Sequence, residues 1–201
     1  MLETLRNAFK IKDLRKRIGF TFLMLIVVRI GSQLPIPGVD PDVFSQLFAN
    51  SGDALNFFDA ITGGSFENMS IFALNITPYI TSSIIIQLLT IAFPKLEEMQ
   101  RDGEQGRKKM TQITRYVTVG LAVVQSLAMA IGSGRAGYLT KFNALYVILT
   151  VAALTAGSSV LMWIGERITE KGIGNGISIV LVINIISRIP SVLTSLFEQF
   201  I

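Results

Sequence analysis

Five stretches of almost unbroken apolar residues alternate with polar, charged segments along this chain: Ile18 to Leu34, Ile71 to Phe93, Tyr116 to Ile131, Ala144 to Ile164 and Ile177 to about Phe197. Each approaches the roughly 20 residues that an α-helix needs to cross ~30 Å of hydrocarbon. The pattern predicts an all-α integral membrane protein with five transmembrane helices over 18–34, 71–93, 116–132, 144–164 and 177–201. Around them lie a basic amphipathic N-terminal segment over 1–17, a segment over 35–70, a basic loop over 94–115, a short loop over 133–143 and a Gly-rich loop over 165–176.

The second apolar run is interrupted by Asn75-Ile76-Thr77-Pro78-Tyr79-Ile80. Pro78 has no N–H for the carbonyl of Leu74, and an unpaired carbonyl in hydrocarbon costs several kcal/mol, so the break must lie against protein or a water-filled cavity. It predicts a helix that lines a pathway. A kink in a scaffolding helix is the plainer alternative, because transmembrane helices tolerate proline more readily than soluble ones.

Charge sets the orientation. Arg6, Lys10, Lys12, Arg15, Lys16 and Arg17 precede the first span, while Pro35 to Ser70 lacks Lys and Arg and carries Asp40, Asp42, Asp53, Asp59 and Glu67. The positive-inside rule places the N-terminus in the cytoplasm. The segment after the second span agrees, with Lys95, Arg101, Arg107, Lys108, Lys109 and Arg115 outnumbering its acids. Five crossings then put the C-terminus of this chain outside, with Arg135 and Lys141 as the external exceptions. No small-residue cleavage site follows the basic N-terminal segment, which is therefore expected to persist. The formal charge of +4 reflects topology and anionic lipid and requires no nucleic acid.

Cysteine and histidine are both absent, which excludes a disulfide framework, a thiol nucleophile, a Cys/His zinc site and a Ser-His-Asp triad. No catalytic residue, metal or cofactor is assigned, and the chain does not read as an enzyme. Gly132-Ser133-Gly134-Arg135-Ala136-Gly137 satisfies G-x-G-x-x-G, but without a preceding strand it is expected to be a turn. The glycosylation triplets at Asn68 and Asn75 are short enough to arise by chance.

Between the first two spans, Leu55, Phe57, Phe58 and Ile61 sit at helical spacings ahead of Gly63-Gly64 and Phe66. This predicts a short amphipathic helix that ends at the glycine pair. Such a helix lies on the outer leaflet or folds back into a cavity; its continuity with the broken run favours the cavity. Ile76, Ile80, Ile84 and Gln87 form one stripe of the second span, and Ile177, Leu181 and Asn184 form another at the start of the fifth. The two stripes suit a hydrophobic collar that blocks ions by dewetting, or ordinary helix and lipid packing. Arg29 is expected to snorkel or to pair with an outer carboxylate. Arg188 falls near the outer interface. Ala152 with Ala156, and Ala153 with Gly157, have the spacing of close helix packing.

Several motifs carry a specific resemblance. Arg29-Ile30-Gly31-Ser32-Gln33-Leu34-Pro35-Ile36-Pro37-Gly38, Ser70-Ile71-Phe72-Ala73-Leu74 with Pro78-Tyr79-Ile80, Ile84-Ile85-Ile86-Gln87-Leu88-Leu89, Leu161-Met162-Trp163-Ile164-Gly165-Glu166 and Gly172-Ile173-Gly174-Asn175-Gly176-Ile177-Ser178 resemble the SecY family of bacterial protein-conducting channels. The resemblance covers nearly the whole chain and corresponds to the N-terminal half of a family built as an inverted repeat of about ten spans. It implies that Ile76, Ile80, Ile177 and Leu181 form this half's share of a pore ring, and that Ala54 to Asn68 forms a re-entrant plug. It implies a lateral gate on the second and third spans, with Ile84, Gln87 and Gln125 as candidates. Arg107, Lys108 and Lys109 would face a cytoplasmic partner, or anchor the loop to lipid headgroups.

The function implied is translocation of secretory proteins across the bacterial cytoplasmic membrane and insertion of membrane proteins into it. The implied partners are the C-terminal half of the channel, small SecE-type and SecG-type subunits, a motor ATPase or ribosome, signal sequences with nascent chains, and the phospholipid bilayer. Two other readings stand beside it. One is half of a secondary transporter, although no Asp, Glu or His lies in any apolar run. The other is a non-conducting truncated fragment.

Overall fold

The structure is a computed structural model that describes residues 11–37, 39, 59, 61–135 and 143–200, with side chains of the last helix described as far as Pro190. Among these residues six helices follow one another: α1 Lys12–Gly31, α2 Thr77–Ala92, α3 Pro94–Arg101, α4 Gly103–Arg135, α5 Ala144–Lys171 and α6 Gly176–Phe200. The β pairing described is a single antiparallel bridge, Pro35 to Ser70. Two helices, α4 and α5, are each long and apolar enough to cross a membrane; α2 and α3 pass the same test only as a pair, bent by 106°. Gly176–Pro190 of α6 is a shorter apolar stretch.

The apolar run from Ile71 to Phe93 is not one broken helix. Residues 71–76 are turns, and helix begins at Thr77 with Pro78 in its first turn. There the missing N–H is one of the donors that a helix start leaves unpaired in any case. The irregular backbone falls earlier, at Asn75, whose φ is 53°.

The expected loop 94–115 is largely helical, and of the expected Gly-rich loop 165–176 residues 165–171 continue the fourth span's helix α5. Residues 94–101 form α3, and α4 starts already at Gly103. Gly103 takes φ of 70°, which lets the chain reverse, and a Cβ on Gly106 would stand 1.7 Å from the Met99 carbonyl oxygen, so α3 folds tightly back onto α4. At the other end of α4, Gly132 to Arg135 continue the helix instead of turning. Ser133 and Gly134 are buried there, and Ser133 Oγ donates to the Ala130 carbonyl.

α4 packs between α2 and α5, and α5 also contacts α6 and α1. The buried side of α4 is built from small residues every fourth position: Thr114, Thr118, Ala122, Ser126 and Ala130. Thr118 shares a 2.5 Å hydrogen bond with Ser82 of α2, and Ser126 a 3.1 Å bond with Thr155 of α5. Lipid is as apolar as leucine, so such close packing and interhelical hydrogen bonds, worth about 0.6 kcal/mol each on average, are what join helices in a membrane.

Two apolar clusters form the core. One gathers Ile36, Val39, Met69, Ala73 and Leu154; the other gathers Val28, Phe72, Ile76, Leu161, Ile164, Ile168 and Val180. The first is reached because the chain after α1 runs back along the segment before α2: Ile36 N–H donates to the Met69 carbonyl and Ile71 N–H to that of Leu34. Close backbone approach sets the α5–α6 junction, where a Cβ on Gly176 would lie 2.0 Å from the Gly165 carbonyl oxygen. Asn175 Oδ1 accepts from Ile177 and Ser178 N–H, and Thr169 Oγ1 accepts from Gly176 N–H, so donors at the α6 start are satisfied by side chains.

Candidate functional site

Segment 61–70 lies against three elements at once. Gly63 and Gly64 take φ of 70° and 85°, a left-handed pair that side chains rarely adopt. The fold needs glycine at Gly63 for space as well, since a Cβ there would come within 2.8 Å of the Asn184 carbonyl oxygen. Within the segment, Ser70 N–H donates to the Ser65 carbonyl at 2.9 Å and Asn68 N–H to that of Gly64 at 3.2 Å. Asp59 is 2% exposed; its Oδ1 accepts from Glu67 N–H at 2.8 Å, and its carbonyl accepts from Thr62 Oγ1 at 3.1 Å.

Donors from the surrounding helices then converge on that segment. Arg29 of α1 donates to the Gly63 carbonyl at 3.2 Å. Asn75, just before α2, donates through Nδ2 to the Ile61 carbonyl at 3.3 Å and accepts through Oδ1 from Asn184 Nδ2 of α6 at 3.1 Å. Ser158 of α5 donates to the Asn75 carbonyl at 3.4 Å. Arg188 of α6 pairs with both Asp59 and Glu67. Asp59 therefore has the opposite charge and the hydrogen bond without which a buried carboxylate costs several kcal/mol.

The aliphatic residues expected in a ring are distributed between core and cavity. Ile76 is 1% exposed and belongs to the second core cluster. Ile80 and Ile177, from two different helices, pack against that cluster and also line a cavity of about 410 Å³ with Ile84, Tyr79, Arg115 and Glu166. Leu181 is half-buried on α6. Arg115 and Glu166 pair at 2.8 Å across α4 and α5 at the edge of this cavity.

The other residues singled out in the sequence fall as follows. Gln87 is exposed, with its amide 3.4 Å from Ser83 of the same helix, and Gln125 is half-buried on α4. The polar link between those helices runs instead through Ser82 and Thr118. Phe66 packs against the first core cluster. Leu55, Phe57 and Phe58 lie outside the described residues. Arg107, Lys108 and Lys109 are exposed near the start of α4, with Lys108 paired to Glu104 at 2.9 Å. Arg29 meets a backbone carbonyl, where an outer carboxylate or an interfacial position was expected. Gly157 accommodates the Ile71 carbonyl, 2.0 Å from where its Cβ would be, while Ala152 and Ala156 are exposed beside Val123 and Leu127.

Sequence reading missed Asp59, Asn75, Asn184 and Arg188 as a group. The available signal was polar residues close to or inside apolar runs, which in a membrane must find partners.

The family model of SecY matches residues 70–201. A protein translocase subunit SecY from Pseudomonas aeruginosa is 43% identical over 190 residues, covering 94% of this chain and 43% of that protein. The Thermotoga maritima subunit is 42% identical over 201 residues, covering 95% and 47%, and that of Porphyra purpurea 47% identical over 186 residues, covering 92% and 44%. The chain thus spans less than half the length of these relatives. Among solved structures, Sec61 in the canine ribosome-channel complex from the endoplasmic reticulum is similar, with a TM-score of 0.63 at 17% identity over 87% of this chain and 37% of that one. The structure of a protein conducting channel gives the same values. At that identity the likeness concerns the fold.

Proposed function

Because this chain belongs to the SecY family, we propose that it forms the N-terminal half of a protein-conducting channel in the bacterial cytoplasmic membrane. α1, α2, α4, α5 and α6 serve as its five spans, with the N-terminus cytoplasmic. Segment 61–70 is the end of a plug, and Ile76, Ile80, Ile177 and Leu181 are this half's share of the pore ring. The lateral gate uses the exposed side of α2 around Ile84 and Gln87, with Gln125 on α4. A C-terminal half completes the pore, small SecE-type and SecG-type subunits clasp it, and a motor ATPase or ribosome drives the nascent chain. Arg107, Lys108 and Lys109 contribute to cytoplasmic docking.

The observation that carries this reading is that Ile80 and Ile177, from different helices, line one cavity beside a buried aliphatic cluster. The rest of that cavity is largely polar, with Arg115, Glu166 and Glu170 among its walls; where aliphatic side chains meet at a narrow point they give a passing polypeptide nothing to grip and shed water, which excludes ions. A segment leaves sideways when lipid suits it better: Leu, Ile and Phe each favour insertion by about 0.3–0.6 kcal/mol, whereas one charge opposes it by roughly 2.5–3.5 kcal/mol.

The test is photocrosslinking in the full-length channel. A benzophenone side chain at Ile80, and separately at Ile177, should capture a stalled secretory chain, while one at exposed Val124 of α4 should not. Absence of capture from both ring positions in a channel that translocates would overturn the assignment.

A further inference from the structure

We propose that Arg188 is a positioning residue whose ion pairs with buried Asp59 and with Glu67 hold segment 61–70 in place and weaken when water reaches Asp59. The proposal rests on reading that segment as part of a plug.

Among the described residues the ion pairs fall into two kinds, local ones and those that join distant parts of the chain, the latter being Arg115–Glu166 between α4 and α5 and the pairs of Arg188. Arg101–Glu97, Lys108–Glu104 and Arg167–Glu170 are local pairs on exposed helix surfaces, of the kind that contributes little. Arg188 is different: its guanidinium on α6 meets two carboxylates that lie far away in sequence, and one of them, Asp59, is 2% exposed. These pairs tie the segment to a helix by charge. Arg29, Asn75 and Arg188 all present donors, and the acceptors are the carbonyls of Ile61 and Gly63, the Glu67 carboxylate and that of Asp59, which itself accepts from Glu67 N–H. The segment is thus held from outside by three separate elements.

An apolar contact of the same size would hold such a segment equally well, since buried ion pairs are commonly no more stabilising than hydrophobic residues of similar volume. What the ion pair adds is sensitivity to water. The attraction between two charges falls in proportion to the local dielectric, whose effective value at buried sites, about 20, is roughly a quarter of that of bulk water. Glu67 and Arg188 already reach the surface, with side chains 35% and 28% exposed, so the change falls on Asp59: once the segment shifts enough to admit water to that carboxylate, its attraction to Arg188 weakens. A contact of this type favours fully seated or fully released positions over intermediate ones.

The experiment uses the full-length, otherwise cysteine-free channel in proteoliposomes. This chain contains no native cysteine, so Ser65→Cys supplies a reporter; Ser65 is 2% exposed. Alkylation by a membrane-impermeant maleimide added from the outer side should be slow in the parent. Arg188→Met should accelerate it by about tenfold or more, because two carboxylates are then left without their cation. Adding Asp59→Asn and Glu67→Gln to Arg188→Met should bring the rate back toward the parent value. An unchanged rate in Arg188→Met overturns the proposal, and so does a rate that stays high in the triple variant, which would assign Arg188 to packing alone. If Arg188→Met does not accumulate in membranes, Asp59→Asn alone carries the test, with acceleration expected and an unchanged rate overturning the idea. Alkylation requires no translocating chain. Failed crosslinking with the expected alkylation pattern therefore counts against the channel reading, and the opposite result against Arg188.

Discussion

Replacing Asn75 by alanine removes three things at once, and the structure lets each be weighed. Asn75 holds φ of 53°, a left-handed conformation that costs an ordinary L-residue roughly 1–2 kcal/mol and is tolerated by asparagine. Its side chain bonds the Ile61 carbonyl and the Asn184 amide, and side-chain hydrogen bonds between membrane helices are worth about 0.6 kcal/mol on average and up to ~1.7 kcal/mol. Together these predict a loss of about 2–5 kcal/mol, a large part of the ~5–15 kcal/mol that holds a typical native state. Equilibrium unfolding of the full-length channel in mixed micelles, followed by circular dichroism, measures it. Asn75→Gly should be milder than Asn75→Ala, because it restores the backbone while losing the same bonds. A double-mutant cycle with Asn184→Ala should show a coupling of about 0.6–1.7 kcal/mol for the amide pair. A loss below ~1 kcal/mol for Asn75→Ala, or additivity within ~0.3 kcal/mol in the cycle, would refute the reasoning.

Gly176→Ala should weaken the α5–α6 junction by about 1–3 kcal/mol, since the added methyl meets the Gly165 backbone; Gly120→Ala, in a helix interior with no atom near its Cβ position, should instead stabilise by roughly 0.5–1 kcal/mol. Thermal denaturation of both variants side by side checks the sign of each. Leu154→Ala, at a fully buried site, should cost about 1–3 kcal/mol, below the soluble-protein range of ~2–5, because lipid replaces water as the reference and the cavity supplies most of the penalty. A loss above that range in mixed micelles would show that transfer from water still dominates.

The apolar runs make the helical class legible directly, because twenty uncharged residues in a row have few other uses. Pro78 draws attention to the right neighbourhood but misplaces the break: proline suits the first turn of a helix as well as it disrupts a middle, and the departure from helix is made by Asn75, whose left-handed backbone leaves no separate mark in the sequence. Gly103 and the 94–115 segment show the converse. Charge there reads as loop, yet i,i+4 pairs such as Glu97–Arg101 and Glu104–Lys108 are equally consistent with a solvated helix. The clamp on segment 61–70 was hidden for another reason. Asp59, Asn75, Asn184 and Arg188 are scattered over the chain, and only the fold brings them to one place.

The four-residue rhythm of Thr114, Thr118, Ala122, Ser126 and Ala130 on α4 bears on how such a protein changes shape. Alanine has no side-chain torsion and serine and threonine have a single χ1, so little rotamer entropy is lost at the seams that α4 makes with α2 and α5, and they offer few other ways to fit. The three helices are therefore expected to travel as a single slab, and any motion that admits a substrate has to be accommodated at the borders of that slab.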